Sequence, residues 1–334
     1  MGNGESSLFS SALKVGAVVA GAVFILRALS LGSQSEEPEP DHDFPRVSTG
    51  ARYESDSSSP VATSNWRRNI HISQTEIKIM SYNVWSNEDV EVEVRMEAIG
   101  NLVQKHSPDI ILFQEVTPRI YELFQSSRWW QLYKYSSVSP EEAAKGQYFC
   151  MLLSKLKVKD FISIPFKNPR SEKGLFLAVI EIGLNKPFIV ATSHLKSPNP
   201  PNMHSEERVS QAKAALRFLQ KFPNVVFGGD MNWDENIDGA FPLQGVWKDA
   251  WPELKGRENG WTFDTKSNAM LRANYPLQKR LDRIVCKLED CSMKNVEMVG
   301  KKAIPGIFCY NKGKILPVLP SDHYGLILTI SLDA

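Results

Sequence analysis

The residues able to do chemistry stand where apolar runs end. Asn83 closes IKIMSYN, Glu115 follows IILFQ, and His194 follows FIVATS. Asp230 and Asn232 lie in VVFGGDMN, Asp282 in LDRIV, and Asp322 and His323 in LPSDHYG. Carboxylate and amide ligands without thiolates suit a hard cation, Mg²⁺ or Mn²⁺, rather than zinc. Hydrolysis of a phosphate ester needs a cation on a non-bridging oxygen, an oriented water and a donor for the developing charge. This set supplies all three. Singly, each residue has a plainer reading: an Asx turn, a Glu emerging into solvent, a structural His.

The elements that must position them follow from pattern. Val225 to Phe227 make a buried strand, and the two glycines after it are expected to end it and turn the backbone close to a ligand. Asp230 and Asn232, two apart, then point the same way. Ile77 to Val84 alternates as a half-buried strand should. Met96, Ile99, Leu102 and Val103 predict a core-facing helix over 95–105, broken by Ser107-Pro108-Asp109. Ile110 to Phe113 predicts a central strand covered on both faces, so Glu115 at its mouth calls for a positive partner. Further strands are expected over 148–153, 175–182, 187–192, 281–285 and 326–330, and a helix over 206–219. His194, beside Ser193, Lys196 and Ser197, could grip phosphate oxygens. Arg208 and Gln211, at i and i+3 near the start of that helix, read as bracing loops, with Arg208 kept as a candidate substrate contact. Trp247 and Trp251 read as core anchors. Trp261 and Phe263, followed by Lys279-Arg280, suit stacking and phosphate contacts of a single-stranded end, or ordinary loop packing.

Composition bounds the rest. The 334 residues carry a formal charge of +1, which neither suggests nor excludes nucleic acid. Cys150, Cys286, Cys291 and Cys309 form no C-x-x-C pair and read as free thiols of a reducing compartment. Residues 1–33 are expected to be a hydrophobic anchor or targeting segment. The apolar run Val15 to Leu26, widened to residues 8–31, approaches the length of a membrane span, and Met1-Gly2-Asn3-Gly4-Glu5-Ser6 fits an N-myristoylation pattern. Residues 34–75, rich in Ser, Pro, Glu and Asp, are expected to be a disordered linker. Residues 76–334 then form one catalytic domain.

From Ile77 to the C-terminus the motifs SYNVW, LFQEV, SHL, GGDMN, LDRI and PSDH occur in the order of the endonuclease/exonuclease/phosphatase superfamily, which the chain resembles. Within it, GQYF, TFDTKSN, KRLDRI and PSDHYGL resemble the type 2 tyrosyl-DNA phosphodiesterases. The resemblance implies a four-layered α/β sandwich of two packed mixed sheets flanked by helices. It implies Mg²⁺-dependent hydrolysis (Mn²⁺ as the other candidate) of the 5′-phosphotyrosyl bond between a topoisomerase II remnant and single-stranded or 5′-ended DNA. Carried over by residue, Glu115 and Asp322 would hold the metal and Asn83 would contact its outer shell or phosphate. Asp230 would activate water with help from Asn232, and His323, positioned by Asp282, would donate to phosphoryl oxygens. His194 and Ser197 would contact phosphate, while Tyr148, Trp261 and Phe263 would shape the DNA-end groove.

Vertebrate members carry an Arg shortly after GDxN, where this chain has Trp233-Asp234-Glu235, so one cationic contact to substrate is either missing or supplied from elsewhere, with Lys279 and Arg280 the candidates. The family implies the nucleus; the N-terminal apolar segment offers an organelle or a membrane as the alternative. The competing readings are a membrane-associated phosphodiesterase or phosphatase acting on phospholipid or inositol phosphate, and a non-catalytic scaffold.

Overall fold

In this computed structural model the described residues are 48–49, 75–166, 173–184, 186–271, 276–311 and 313–332. Two strand–helix–strand units build the frame. The first is β1 (Glu76–Asn83), α1 (Val92–His106) and β2 (Ile110–Val116), followed by α2 (Pro118–Gln125) and β3 (Phe149–Ser154). Then come β4 (Val158–Pro165) and β5 (Gly174–Ile180). The second unit is β6 (Phe188–His194), α3 (Ser205–Leu219) and β7 (Asn224–Asp230). The chain closes with β8 (Asp282–Lys287), β9 (Ser292–Val299) and β10 (Gly325–Ser331).

One sheet runs β9-β10-β1-β2-β3, with Tyr135–Ser136 at its edge. The other runs β4-β5-β6-β7-β8, with Ser48–Thr49 and Lys248–Asp249 at its edges. The pairs β1/β2 and β6/β7 are parallel and their neighbours antiparallel. Parallel strands end together, and an antiparallel neighbour begins where they end. Asp282 therefore sits opposite Asp230, His194 beside Asp230, and Asn83 beside Gln114. One rim of the molecule collects the ends of every strand the sequence marked.

Three apolar layers make the stack. Ile77, Ile79 and Leu112 meet Val190, Val226 and Ile284 between the sheets. Met80, Tyr82 and Phe113 carry the outer face of one sheet onto Met96, Ile99 and Val103 of α1. Ile189, Val225 and Phe227 carry the other onto Ala212, Leu216 and Leu219 of α3. Helix, sheet, sheet and helix give the expected four-layered sandwich, with each fully buried aliphatic or Phe side chain stabilising by roughly 1.5–3 kcal/mol.

Two local expectations are corrected. β1, expected to be half-buried, is covered on both faces, because α1 lies over Met80 and Tyr82. Gly228 and Gly229 do not end a strand; they lie inside β7, paired with β6 and β8. A Cβ on Gly229 would stand 2.1 Å from the carbonyl oxygen of Ser193, and one on Gly228 would stand 3.1 Å from Leu112 Cδ1 of the opposite sheet. The glycines allow close approach of strands, not a turn.

All four cysteines are unpaired. Residues 1–33, expected to be an anchor or targeting segment, and most of 34–75, expected to be a linker, lie outside the described residues. Within the expected linker, Ser48–Thr49 pairs antiparallel with Ser163 and Ile162, adding to the otherwise open edge of β4. Among the described residues, no helix is long and apolar enough to cross a membrane.

Candidate active site

Asn83 stands at the centre of the rim. Its Nδ2 donates to Asp230 Oδ2 at 2.9 Å and to Glu115 Oε1 at 3.1 Å, while its Oδ1 accepts the Trp85 backbone N–H at 2.9 Å. The backbone thereby fixes which way the amide faces. Glu115 reaches it through a break in pairing: the β2–β3 register shifts between Phe113 and Val116, and Glu115 adopts φ +61°. Such a bulge re-aims a side chain at the cost of backbone strain. Ser86 holds the result, its N–H and hydroxyl donating to Glu115 Oε2 at 2.9 and 2.7 Å. Arg95, fully buried, in turn holds the loop carrying Ser86 by donating to the carbonyls of Val84, Trp85, Asn87 and Val90.

Asp230 is enclosed by donors. Its Oδ1 accepts the Asn232 N–H at 2.9 Å, and Oδ2 takes Asn232 Nδ2 at 3.3 Å besides Asn83. His194 Nε2 lies 3.4 Å from Asp230 Oδ2 and 3.9 Å from Glu115 Oε1. Burial, with the Lys173 ammonium nearby, pushes His194 down to about 4, so it is neutral at pH 7. Burial works against the Glu115 carboxylate, but His194, protonated at low pH, and the bonds from Ser86 and Asn83 hold it at about 2.

On the other side, His323 Nδ1 lies 2.7 Å from Asp282 Oδ2, both buried. Burial alone would lower this imidazole; the carboxylates of Asp282, Asp322 and Asp230 outweigh it and raise His323 well above its ordinary value. Ser321 ties the loop to β1, its hydroxyl donating to the Asn83 carbonyl at 2.7 Å and accepting the His323 N–H at 3.2 Å. Asp322 is pushed up to about 6 by burial and by the charges of Glu115 and Asp230.

These acids fit a divalent cation. Ligand atoms of Glu115, His194 and Asp230 lie within 4.8 Å of one another, as do those of Asp230, Asp282 and His323. Asp322 lies outside both groups, near enough for Glu115 to raise its pKa. Converging carboxylates whose mutual repulsion lifts one of them are what a hard cation relieves.

Most expected residues meet here. Ser197 Oγ is 3.4 Å from His194 Nε2 and accepts from Asn232 Nδ2 at 3.4 Å. The Tyr148 ring lies 6.0 Å from that of His194, and Phe263 meets the His323 ring edge-on at 5.4 Å. Trp261 lies apart, lining a cleft of about 370 Å³ with Lys279, Arg280 and Arg283. Arg208 requires correction as a substrate contact. It is buried, paired with Asp238 at 2.6 Å, and donates to the carbonyls of Lys196 and Met203, so it braces the loop that follows His194.

Both cations named as candidates for the missing contact are paired with acids. Lys279 is held by Asp234 at 2.6 Å and Arg280 by Asp249 at 2.7 Å. Lys173 instead brings its ammonium to the rim, donating to the Leu195 carbonyl at 2.8 Å and to Ser197 Oγ at 3.5 Å. Lys173 follows a polar stretch without periodicity, which hides it in the sequence. Its one signal was a cation immediately before a strand that pairs with β6.

Fold and rim together define a class, a four-layered α/β hydrolase whose acidic site lies where two sheets meet. The chain belongs to the endonuclease/exonuclease/phosphatase family, whose sequence pattern it matches over residues 80–323. It is 29% identical over 265 residues to the mouse protein tyrosyl-DNA phosphodiesterase 2, a match covering 77% of this chain and 66% of that one. The chain thus spans about two thirds of that relative's length. Truncated Caenorhabditis elegans TDP2 superposes with a TM-score of 0.63 at 25% identity, covering 77% of this chain and 98% of that one. D. rerio TDP2 complexed with single strand DNA product gives a TM-score of 0.64 at 21% identity, covering 77% of this chain and all of that one, a likeness of fold.

Proposed function

We propose that this chain hydrolyses the phosphodiester between a tyrosine and a DNA 5′-phosphate, such as a topoisomerase II remnant leaves, releasing the tyrosyl group and a 5′-phosphate end. The observation that carries this reading is Asp230 enclosed by Asn83 and Asn232, facing a His323 kept protonated by Asp282. The match to tyrosyl-DNA phosphodiesterase 2 supplies the substrate class.

In this reading Glu115 and Asp322 hold the cation, Mg²⁺ or Mn²⁺, which when bound supplies charge neutralisation at a non-bridging phosphoryl oxygen. Asp230 accepts a proton from the attacking water, whose oxygen bonds phosphorus as the bond to the tyrosyl oxygen breaks. Asn83 and Asn232 orient that carboxylate. His323 donates to the phosphoryl oxygens, and neutral His194, Ser197 and Lys173 contact them from the opposite side. Tyr148 and Phe263 flank the rim, where they bound the terminal nucleotide, and Trp261 bounds the outer groove.

Residues 76–334 are the proposed catalytic domain, with 34–75 a linker and 1–33 a targeting or anchoring segment. The proposed location is the nucleus. Equal nuclear distributions for N- and C-terminal fluorescent fusions would defeat a targeting role for Gly2.

The decisive experiment is tyrosine release from a 5′-phosphotyrosyl single-stranded oligonucleotide with Mg²⁺ or EDTA, using residues 76–334 and Glu115→Ala. Metal-dependent release abolished in the variant is expected. A folded protein that leaves this ester intact while cleaving phospholipid or inositol phosphate overturns the substrate assignment.

A further inference from the structure

Between Glu297 and Asp322 the sequence contains no acidic residue and four lysines, Lys301, Lys302, Lys312 and Lys314. Within this stretch Phe308–Asn311 and Lys314–Pro317 pair as an antiparallel hairpin, separate from both main sheets. Alternation divides its two faces. Cys309 turns inward, where Ile304, Ile307 and Val318 anchor the base beside Met270, Tyr324 and Trp85. Two backbone bonds, from Ile304 N–H to the Val318 carbonyl and from Val318 N–H to the Ile307 carbonyl, seal that base. The outward face carries Phe308, Tyr310 and Ile315, 56%, 77% and 73% exposed, with Ile315 directly across from Tyr310.

Three large apolar side chains on one hairpin face form a contiguous exposed patch, and such patches mark contact surfaces. The surrounding charge selects the partner. Lys301, Lys302 and Lys314 are exposed, and with no acid in the stretch to neutralise them the hairpin presents a positive face to a polyanion. Aromatics standing among lysines are the combination that stacks bases while tracking a phosphate backbone, and it does so without reading sequence. The hairpin is also continuous with the catalytic loop: only Val318, Leu319 and Pro320 separate its last residue from Ser321.

We propose that this hairpin is a second contact surface for single-stranded nucleic acid, gripping the strand beyond the nucleotide at the rim. The proposal rests on the reading of the rim as a DNA-end site. It makes Phe308 and Tyr310 stacking platforms and Lys302 and Lys314 phosphate contacts. Catalytic residues are untouched by it, so the hairpin sets affinity for a long strand and not the rate on a minimal ester.

The test uses the full chain, a fluorescein-labelled oligo-dT of twenty nucleotides in EDTA, and two variants: F308S/Y310S/I315S and K302E/K314E. All five side chains are exposed, so folding is retained and is checked by circular dichroism. Anisotropy is expected to show about tenfold weaker binding for the first variant, and for the second also a shallower dependence on salt, the slope of log K against log salt falling by roughly 0.7 per lost contact. Turnover of thymidine 5′-p-nitrophenyl phosphate stays within twofold of the parent. Oligo-dT affinity unchanged in both variants overturns the proposal, as does a loss confined to vesicles containing phosphatidylserine, which would make the patch a lipid contact. Binding is read without cleavage, so the two claims fail separately. A chain that grips oligo-dT through the hairpin yet spares the 5′-tyrosyl ester loses only the proposed function; one that cleaves the ester with unaltered variants loses only the hairpin.

Discussion

Asn83 Nδ2 donates to Asp230 Oδ2 at 2.9 Å across the seam between the two sheets, from the last residue of β1 to the last residue of β7. Its other contact, Glu115 at 3.1 Å, is the neighbouring strand's carboxylate. One amide therefore separates two acids that would otherwise repel, and holds both toward the same point.

Replacing that amide tests whether it orients or only packs. Asn83→Ala removes a fixed donor from a site built around developing charge, and a rate loss of about 10²-fold is expected, near that for deleting one preorganised donor elsewhere. Asn83→Asp adds a further carboxylate and is expected to lose more at pH 7 than at pH 5.5, because a protonated Asp can still donate. Equal losses at both pH values would remove the donor role.

The His323–Asp282 pair yields a pH dependence. His323 is raised well above its ordinary value by Asp282, Asp322 and Asp230 against the cost of burial, so it is protonated and donating throughout the neutral range. Activity should fall only as pH rises through that elevated value. Asp282→Asn removes the negative charge at 2.7 Å and leaves burial opposed only by Asp322 and Asp230, so the descending limb should move to lower pH, with a rate loss at neutrality on the order of 10²–10⁴. Stability carries the same sign. A folded value above 6.5 contributes stability that is full below 6.5 and lost as pH rises through the folded value. A limb at the same pH in variant and parent would show that His323 is not the donor.

Gly229 gives a prediction about the frame. An added Cβ meets the Ser193 carbonyl at 2.1 Å, and that atom is backbone within the parallel β6–β7 pair. It cannot rotate away. Gly229→Ala should cost roughly 3 kcal/mol or more, the range of severe core lesions. Gly245→Ala is the control: nothing lies within 4 Å of its added Cβ, and the penalty is confined to holding φ +60°, about 1–2 kcal/mol. Urea midpoints of the two variants, if similar, would contradict the close approach.

The strand ends were legible because the physics there is local. A buried apolar run needs few residues to announce itself, and whatever polar residue follows must lie at a rim; Asn83, Asp230, Asp282 and His323 were found this way. Glu115 was found too, but not the bulge that aims it, since LFQEV carries no Gly or Asn to announce φ +61°. The two glycines were misread because the atoms that require them, Ser193 O and Leu112 Cδ1, come from other strands. The partners of Arg208 and Lys173 are non-local in the same way. Only the fold shows that Asp238 takes the first and that the turn after His194 receives the second.

The position of Lys173 supplies the final prediction. Lys173 is pushed down to about 8 by burial, partly offset by Asp230, Cys150 and Glu115, so it remains largely charged at pH 7, beside Ser197 and the Leu195 carbonyl. Lys279, by contrast, is spent on Asp234 at 2.6 Å. If Lys173 is the cation that meets the substrate phosphate, Lys173→Met should lower kcat/KM on a 5′-tyrosyl oligonucleotide by roughly tenfold or more, about 1.4 kcal/mol of lost charge-assisted contact. Lys279→Met should stay within about twofold, since a partly exposed ion pair contributes little. The loss in Lys173→Met should also shrink as pH rises past about 8, where the parent's own ammonium deprotonates. Measuring both variants between pH 6.5 and 9 decides the matter: a larger effect from Lys279, or a Lys173 effect independent of pH, would return the missing contact to the groove lined by Trp261.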